Sequence, residues 1–241
     1  MKTIEEKKDC IVDQLKDYLN GKTAVIGISG GIDSAVVAAL CAEAQGGSIF
    51  PYLCAVSLPY GNQDTSDADE LAASLGMKAG LLKQNIKPAV DAIINLKAVD
   101  RLVLGNAMAR IRMVYLYTLA NQFNGIVVGT TNRSEAEIGY YTKYGDGGVD
   151  IEPIASLWKR EVYEMGKLLN IPESIMTKAP SADLWEGQTD EGEFCFTYDD
   201  IEKYFQSLQH GVFIDPKSAD KIRALITCNE HKKHVPPAFK T

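Results

Sequence analysis

Hydrophobic positions change period several times along the chain, and each change marks an element. Over residues 3–19, Ile4, Ile11, Leu15, Tyr18 and Leu19 recur at helical spacing and Asn20-Gly21 supplies a stop, which predicts an amphipathic helix. TAVIGI at 23–28 is a β-branched run with the length of a buried strand, and from Asp33 to about Ala44 the pattern turns helical. YLCAVSLP at 52–59 predicts a second strand, a helix near 65–75 follows with Thr65 or Ser66 as its cap, and KAGLLK at 78–83 predicts a third strand. Residues 98–123 read as a long helix with a break expected near Gly105-Asn106, and GIVVGT at 125–130 is a fourth buried strand. Strands alternating with helices predict an α/β fold, a parallel sheet flanked by helices on both faces.

The last third changes character. Helices are predicted near 158–169, 198–208 and 217–229, separated by Gly- and Pro-containing loops around 139–156 and 179–193. Long loops in a compact fold are more often functional than incidental, so 139–193 is the expected substrate region. The 241 residues suit one domain spanning 1–241. Lys and Arg total 25 against 32 Asp and Glu, a formal charge of −7. That balance argues against a nucleic-acid surface, while leaving room for small anionic ligands held by a few placed cations. The longest apolar run, AVVAALCA at 35–42, falls short of the roughly 20 residues of a bilayer span, and MKTIEEKKDC lacks the apolar core of a secretory signal. A cytoplasmic chain without membrane contact is expected. Cys10, Cys41, Cys54, Cys195 and Cys228 form no CxxC pair, which predicts reduced thiols.

The most informative segment is GISGGIDS, residues 27–34. It follows a buried strand and opens a helix, so successive backbone N–H groups converge on an anion at the helix N-terminus. Adjacent glycines remove the Cβ atoms that would hold phosphate oxygens away, and Ser29 and Ser34 add hydroxyl donors. Asp33 would repel phosphate unless a cation stood between them, and Mg²⁺ is the economical choice. The pattern is neither the Gly-Lys-Ser/Thr phosphate loop nor GxGxxG. SGGIDS resembles the loop of the N-type ATP pyrophosphatases, which split ATP between its α and β phosphates to adenylate a substrate. That resemblance implies a Rossmann-like sheet of the adenine nucleotide alpha hydrolase type.

GTTNRSEAEIGYYTKYGDGGVDIEP at 129–153, KAPSADL at 178–184, DE at 190–191 and EHKK at 230–233 are more specific. Together with SGGIDS they resemble ammonia-dependent NAD synthetase over about residues 20–238. The resemblance implies that ATP adenylates the carboxylate of deamido-NAD, and that ammonia then displaces AMP to leave NAD. It further implies a homodimer, an ammonia supply without a glutaminase domain, and no covalent nucleophile. By the same resemblance Gly27, Ile28, Ser29, Gly30, Gly31, Ile32, Asp33 and Ser34 surround ATP, joined by Thr130, Lys159 and Ser181. Asp33 and Glu135 hold Mg²⁺, and Arg110, Lys143, Asp150, His231 and Lys232 bind deamido-NAD. Ser181 stands where many members carry Thr, and its hydroxyl is kept.

Each assignment has a plainer rival. Arg110 and Arg112, two apart on a helix, face different directions, so one of them is expected to be solvated. Glu135 also fits a first-turn helix acid. His231 and His234 are spaced like a metal pair, but no third ligand is evident, so zinc is not expected. Trp158 and Trp185 are expected as packing or loop anchors. A tRNA- or nucleotide-modifying ATP pyrophosphatase is the rival enzyme class, and a nucleotide-binding sensor is the rival outside enzymology.

Overall fold

The computed structural model describes residues 2–46, 53–77, 81–94, 99–185 and 187–239. Tyr52, residues 78–80 and Ala98, which belong to expected elements, lie outside the described residues. The chain begins with α1 (Ile4–Leu19), β1 (Thr23–Gly27), α2 (Ile32–Ala44), β2 (Leu53–Ser57), α3 (Ser66–Ser74) and β3 (Leu82–Lys83). It continues through α4 (Lys87–Ile93), α5 (Arg101–Gln122), β4 (Gly125–Val127), α6 (Arg133–Ile138), α7 (Lys159–Leu168) and α8 (Glu173–Thr177). It closes with α9 (Asp190–Phe194), α10 (Tyr198–His210), α11 (Pro216–Asn229) and a 3-10 turn at Glu230–Lys232.

The four strands pair in parallel in the order β3-β2-β1-β4. Ala24 lies opposite both Leu53 of β2 and Ile126 of β4, which fixes the register. Period-2 alternation sends β1 side chains to two cores. Ala24 and Ile26 pack with α1, α2 and α7, whereas Val25 packs with α4, α5 and β4. Helices therefore cover both faces, as the alternation predicted. α2 is apolar on nearly every side because it lies between the sheet and the α1 and α7 layer. A third, more aromatic cluster joins Ile138, Phe194, Phe196, Tyr198, Ile201, Tyr204 and Ile222 from α6, α9, α10 and α11.

Several expectations are corrected. In α1 the buried stripe is Ile11, Val12, Leu15 and Leu19, while Tyr18 points outward, 53% exposed. Thr65 stands at the N-cap of α3, as expected, but its side chain makes no capping bond. Asp64 instead accepts the Ser66 backbone N–H at 2.9 Å. α5 is unbroken through Gly105-Asn106 because that glycine is a packing notch. A Cβ at position 105 would come within 2.8 Å of the Leu184 side chain. The strands are shorter than their apolar runs, and after β4 only Val128 pairs further, in a lone parallel bridge to Ile151.

Candidate active site

Strand order reverses between β1 and β4. In open parallel sheets, ligands bind outside the carboxyl ends of strands at that reversal. A cavity of about 740 Å³ lies there. The loops after β1 and β4, the segment 140–149, the segment 178–185 and residues His231 and Lys232 all contribute to its wall.

The 27–34 loop is a self-braced cradle. Ser29 Oγ and Ser34 Oγ lie 3.1 Å apart, Ser29 Oγ accepts the Gly31 N–H at 3.2 Å, and the Ser34 hydroxyl donates to the Gly31 carbonyl at 3.0 Å. Gly31 is the N-cap of α2 and gives it no side-chain cap, so the helix N-terminus faces the cavity as an anion site. Gly30 does not line the cavity. Its φ of 83° and the 3.1 Å from a built Cβ to Asp67 make it the hinge of the turn against α3.

Beside the cradle lies a buried charge cluster. Lys159 opens α7, an unfavourable place for a cation in the helix dipole, and its side chain is only 5% exposed. Its ammonium lies 2.6 Å from Asp33 Oδ2 and 3.4 Å from Glu135 Oε1. Asp33 Oδ1 accepts the Asn132 amide N–H at 2.9 Å. Glu135 is the first-turn helix acid that the sequence allowed. Its Oε2 accepts the Asn132 backbone N–H at 3.2 Å in a capping box for α6, while Oε1 faces Lys159. Asp190 adds a third carboxylate that acts on the same lysine. Burial, then the neighbouring Asp33 charge, push Glu135 well above the usual carboxylate range, with Lys159 pulling the other way. Burial alone would lower Lys159, but Asp33 and Glu135 outweigh it and raise the ammonium pKa. Three carboxylates around one ammonium leave a negative excess of hard oxygen donors.

Of the remaining expected site residues, Thr130, Ser181, Arg110, Lys143, His231 and Lys232 line the cavity. Lys143 Nζ donates to the His231 carbonyl at 2.5 Å, and Lys232 Nζ donates to the Gly139 and Tyr141 carbonyls at 2.9 and 2.7 Å. Asp150 stands outside it, accepting the Val127 N–H at 2.8 Å and the Tyr117 hydroxyl at 3.0 Å. The expected solvated arginine is a partial miss. Arg110 is exposed at the rim, and Arg112 turns inward to donate to the Leu58 carbonyl at 3.0 Å and to Gln63 at 3.1 Å, yet both line the cavity. Trp158 packs under the Arg133 guanidinium at 4.2 Å, whereas Trp185 lines the cavity. His234 turns to Glu230 at 2.9 Å. Among the described residues, no group of three or more His, Cys, Asp or Glu side chains is arranged to hold a metal ion.

Sequence reasoning did not single out Glu152. Its Oε2 accepts the Thr131 N–H at 3.0 Å, and a Cβ on Gly129 would overlap its carboxylate, which explains glycine there. Burial pushes Glu152 from an ordinary 4.5 up to about 7, against the opposing pull of Thr131. A raised folded-state pKa favours folding below about 4.5 and loses that contribution as pH rises through about 7. Ligand-free Glu152→Gln, which keeps the acceptor, is therefore expected to lose less stability than the parent between those pH values. Urea denaturation at a series of pH values measures this, and parallel curves would contradict it.

A glycine- and serine-built cradle at the head of a parallel sheet, facing a lysine-bracketed carboxylate pair, belongs to an adenine-nucleotide-hydrolase-like α/β fold. The NAD synthase family model matches residues 3–236, and the chain belongs to that family. It is 43% identical over 235 residues to an NH3-dependent NAD+ synthetase of Thermoplasma acidophilum, covering 95% of each chain. Among solved structures it is similar to NMN synthetase from Francisella tularensis, with TM-score 0.89, 35% identity and complete coverage of both chains. It is also similar to NH3-dependent NAD synthetase from Campylobacter jejuni, with TM-score 0.80, 27% identity and complete coverage of both chains.

Proposed function

We infer that the chain amidates deamido-NAD with ammonia at the expense of ATP, releasing NAD, AMP and pyrophosphate. The observation that carries this reading is the convergence of the 27–34 cradle, Lys159 and the 140–149 segment on one cavity, in a chain matched almost end to end by relatives named for this activity. A carboxylate is a poor electrophile because its charge repels a nucleophile and oxide does not leave. A carboxylate oxygen therefore attacks the α-phosphorus of ATP and pyrophosphate departs with the electrons of the broken bond. Ammonia then attacks the acyl carbon, AMP leaves, and nitrogen gives up a proton. No side chain forms a covalent bond in this scheme. The chain's part is to align two anions and neutralise charge growing on pyrophosphate.

Each residue has a task of matching chemistry. The α2 N-terminus and the Ser29 and Ser34 hydroxyls receive phosphate oxygens, Lys159 supplies fixed positive charge, and Thr130 and Ser181 add hydroxyl donors. The carboxylate excess around Lys159 fits a further hard cation, and one or two carboxylates plus phosphate oxygens is a usual Mg²⁺ donor set. Asp33 and Glu135 would hold it, and bound Mg²⁺ would offset the triphosphate charge. Arg110, Lys143, His231 and Lys232 take the dinucleotide. Asp150 contributes in this reading by bracing the β4 edge.

Formation of AMP and NAD from ATP, deamido-NAD and ammonium salt tests the assignment, and failure to form NAD would overturn it. The likeness to the NMN synthetase supports a second reading, the same ligation on the nicotinic acid mononucleotide. A preference for that substrate by kcat/KM would select it. Lys143→Ala is expected to raise KM for deamido-NAD more than KM for ATP, and equal increases would contradict its place on the dinucleotide side. We also propose a homodimer. Exposed Leu102, Val103 and Val114 on α5 support that state, and light scattering after size exclusion measures it. Among the described residues no helix is long and apolar enough to cross a membrane.

A further inference from the structure

We propose that Tyr198 is a positioning residue that holds Glu135 and Lys159 in register from behind the cavity. The inference rests on the reading of those two residues given above. Tyr198 opens α10, is 8% exposed and does not line the cavity, so it acts only through others. Its hydroxyl lies 2.7 Å from Asp190 Oδ2 and 3.1 Å from Glu135 Oε1, and the Lys159 ammonium stands 4.9 Å from its ring centroid. One side chain thus touches three members of the charge cluster by two kinds of force, hydrogen bonding and cation–π attraction.

Proton counting gives the arrangement its character. A phenol has one proton to donate, and two carboxylate oxygens compete for it. Asp190 takes the shorter contact, while the Tyr140 hydroxyl, 3.3 Å from its Oδ1, gives its own proton to the closer Glu193. Displacing Asp190 would leave the Tyr198 proton wholly to Glu135, so the phenol couples the position of α9 to the carboxylate facing Lys159. The ring is fixed by packing edge-on to Phe194, with centroids 5.6 Å apart, so the hydroxyl has a defined place.

Tyr198→Phe keeps the ring, the Phe194 contact and the cation–π attraction, and removes only the hydroxyl. Loss of a partner that orients a ligating side chain typically costs about 10–100-fold in metal affinity or activity. In the full-length enzyme, Tyr198→Phe is expected to lower kcat about tenfold and to weaken Mg²⁺ binding, measured by calorimetry without turnover, by a similar factor. KM for deamido-NAD should stay within about twofold, and the ligand-free Tm should fall by only a few degrees because Asp190 and Glu135 lose a donor. Tyr198→Leu, which removes the ring as well, should lose more kcat than Tyr198→Phe. Parental kcat and Mg²⁺ affinity in Tyr198→Phe would overturn the proposal, as would a kcat loss explained entirely by a lower Tm and active fraction. If the parent protein itself makes no NAD, the assigned reaction fails instead, a result distinguishable from normal turnover in the variant.

Discussion

Lys159→Ala is expected to lower kcat by about 10²–10³, the scale of removing a preorganised stabiliser of developing charge. Lys159 is the ammonium that bridges Asp33 and Glu135, and its burial makes it effective because little water screens it. The same change strips two partly buried carboxylates of their counter-ion, and the roughly 3–5 kcal/mol cost of breaking a fully buried pair from one side is an upper bound for it. Glu135 has an escape, since its raised pKa lets it take up a proton. The ligand-free variant should therefore remain folded with a lower Tm while turnover collapses. Thermal denaturation and pyrophosphate release measured on the same preparation separate the two effects. Turnover within a few-fold of the parent would remove Lys159 from the phosphate site.

Asp33→Ala is expected to cost about 10² in Mg²⁺-supported turnover by the same reasoning, and Glu135→Ala about as much. The two variants should differ in the unliganded protein. Asp33→Ala deprives the Asn132 amide and Lys159 of their shorter contacts, whereas Glu135→Ala also destroys the α6 capping box. The Asn132 side chain still caps α6 in that variant, so the added penalty is only the reciprocal hydrogen bond to the Asn132 N–H, worth roughly 0.5–1.5 kcal/mol. Rates measured against Mg²⁺ concentration test the metal assignment. Parental Mg²⁺ dependence in both variants would refute it.

The sheet and its cradle were legible because each depends on local pattern. β1 is a β-branched run, α2 is apolar from Ala35 to Ala42, and SGGIDS joins them with glycines where backbone must approach a ligand. Three short helices, α4, α8 and α9, escaped because five to seven residues do not establish a helical period. Gly105 looked like a helix breaker because a notch filled by Leu184, distant in sequence, leaves no local mark. Arg112 was hidden for a related reason, since spacing on α5 shows that two arginines diverge but not which one meets Leu58 and Gln63. Asp150 came with a motif of which Thr142, Lys143 and Asp146 line the cavity, yet its position beside Val127 turns it to the β4 edge. Tyr198 belongs to an aromatic core assembled from α6, α9, α10 and α11, and only tertiary packing brings its hydroxyl to Glu135, 63 residues away.

The cavity wall at 137–143 is tied down by residues that come some ninety positions later. Asn229 donates to the Ile138 carbonyl, Lys232 to those of Gly139 and Tyr141, and Lys233 to that of Glu137. On the ribosome, where chains emerge N-terminus first, the sheet and cradle can assemble long before these donors exist. That segment is thus fastened only after residues 229–233 have been made, and a nascent chain stalled before residue 229 would carry the 27–34 cradle without the finished wall opposite it.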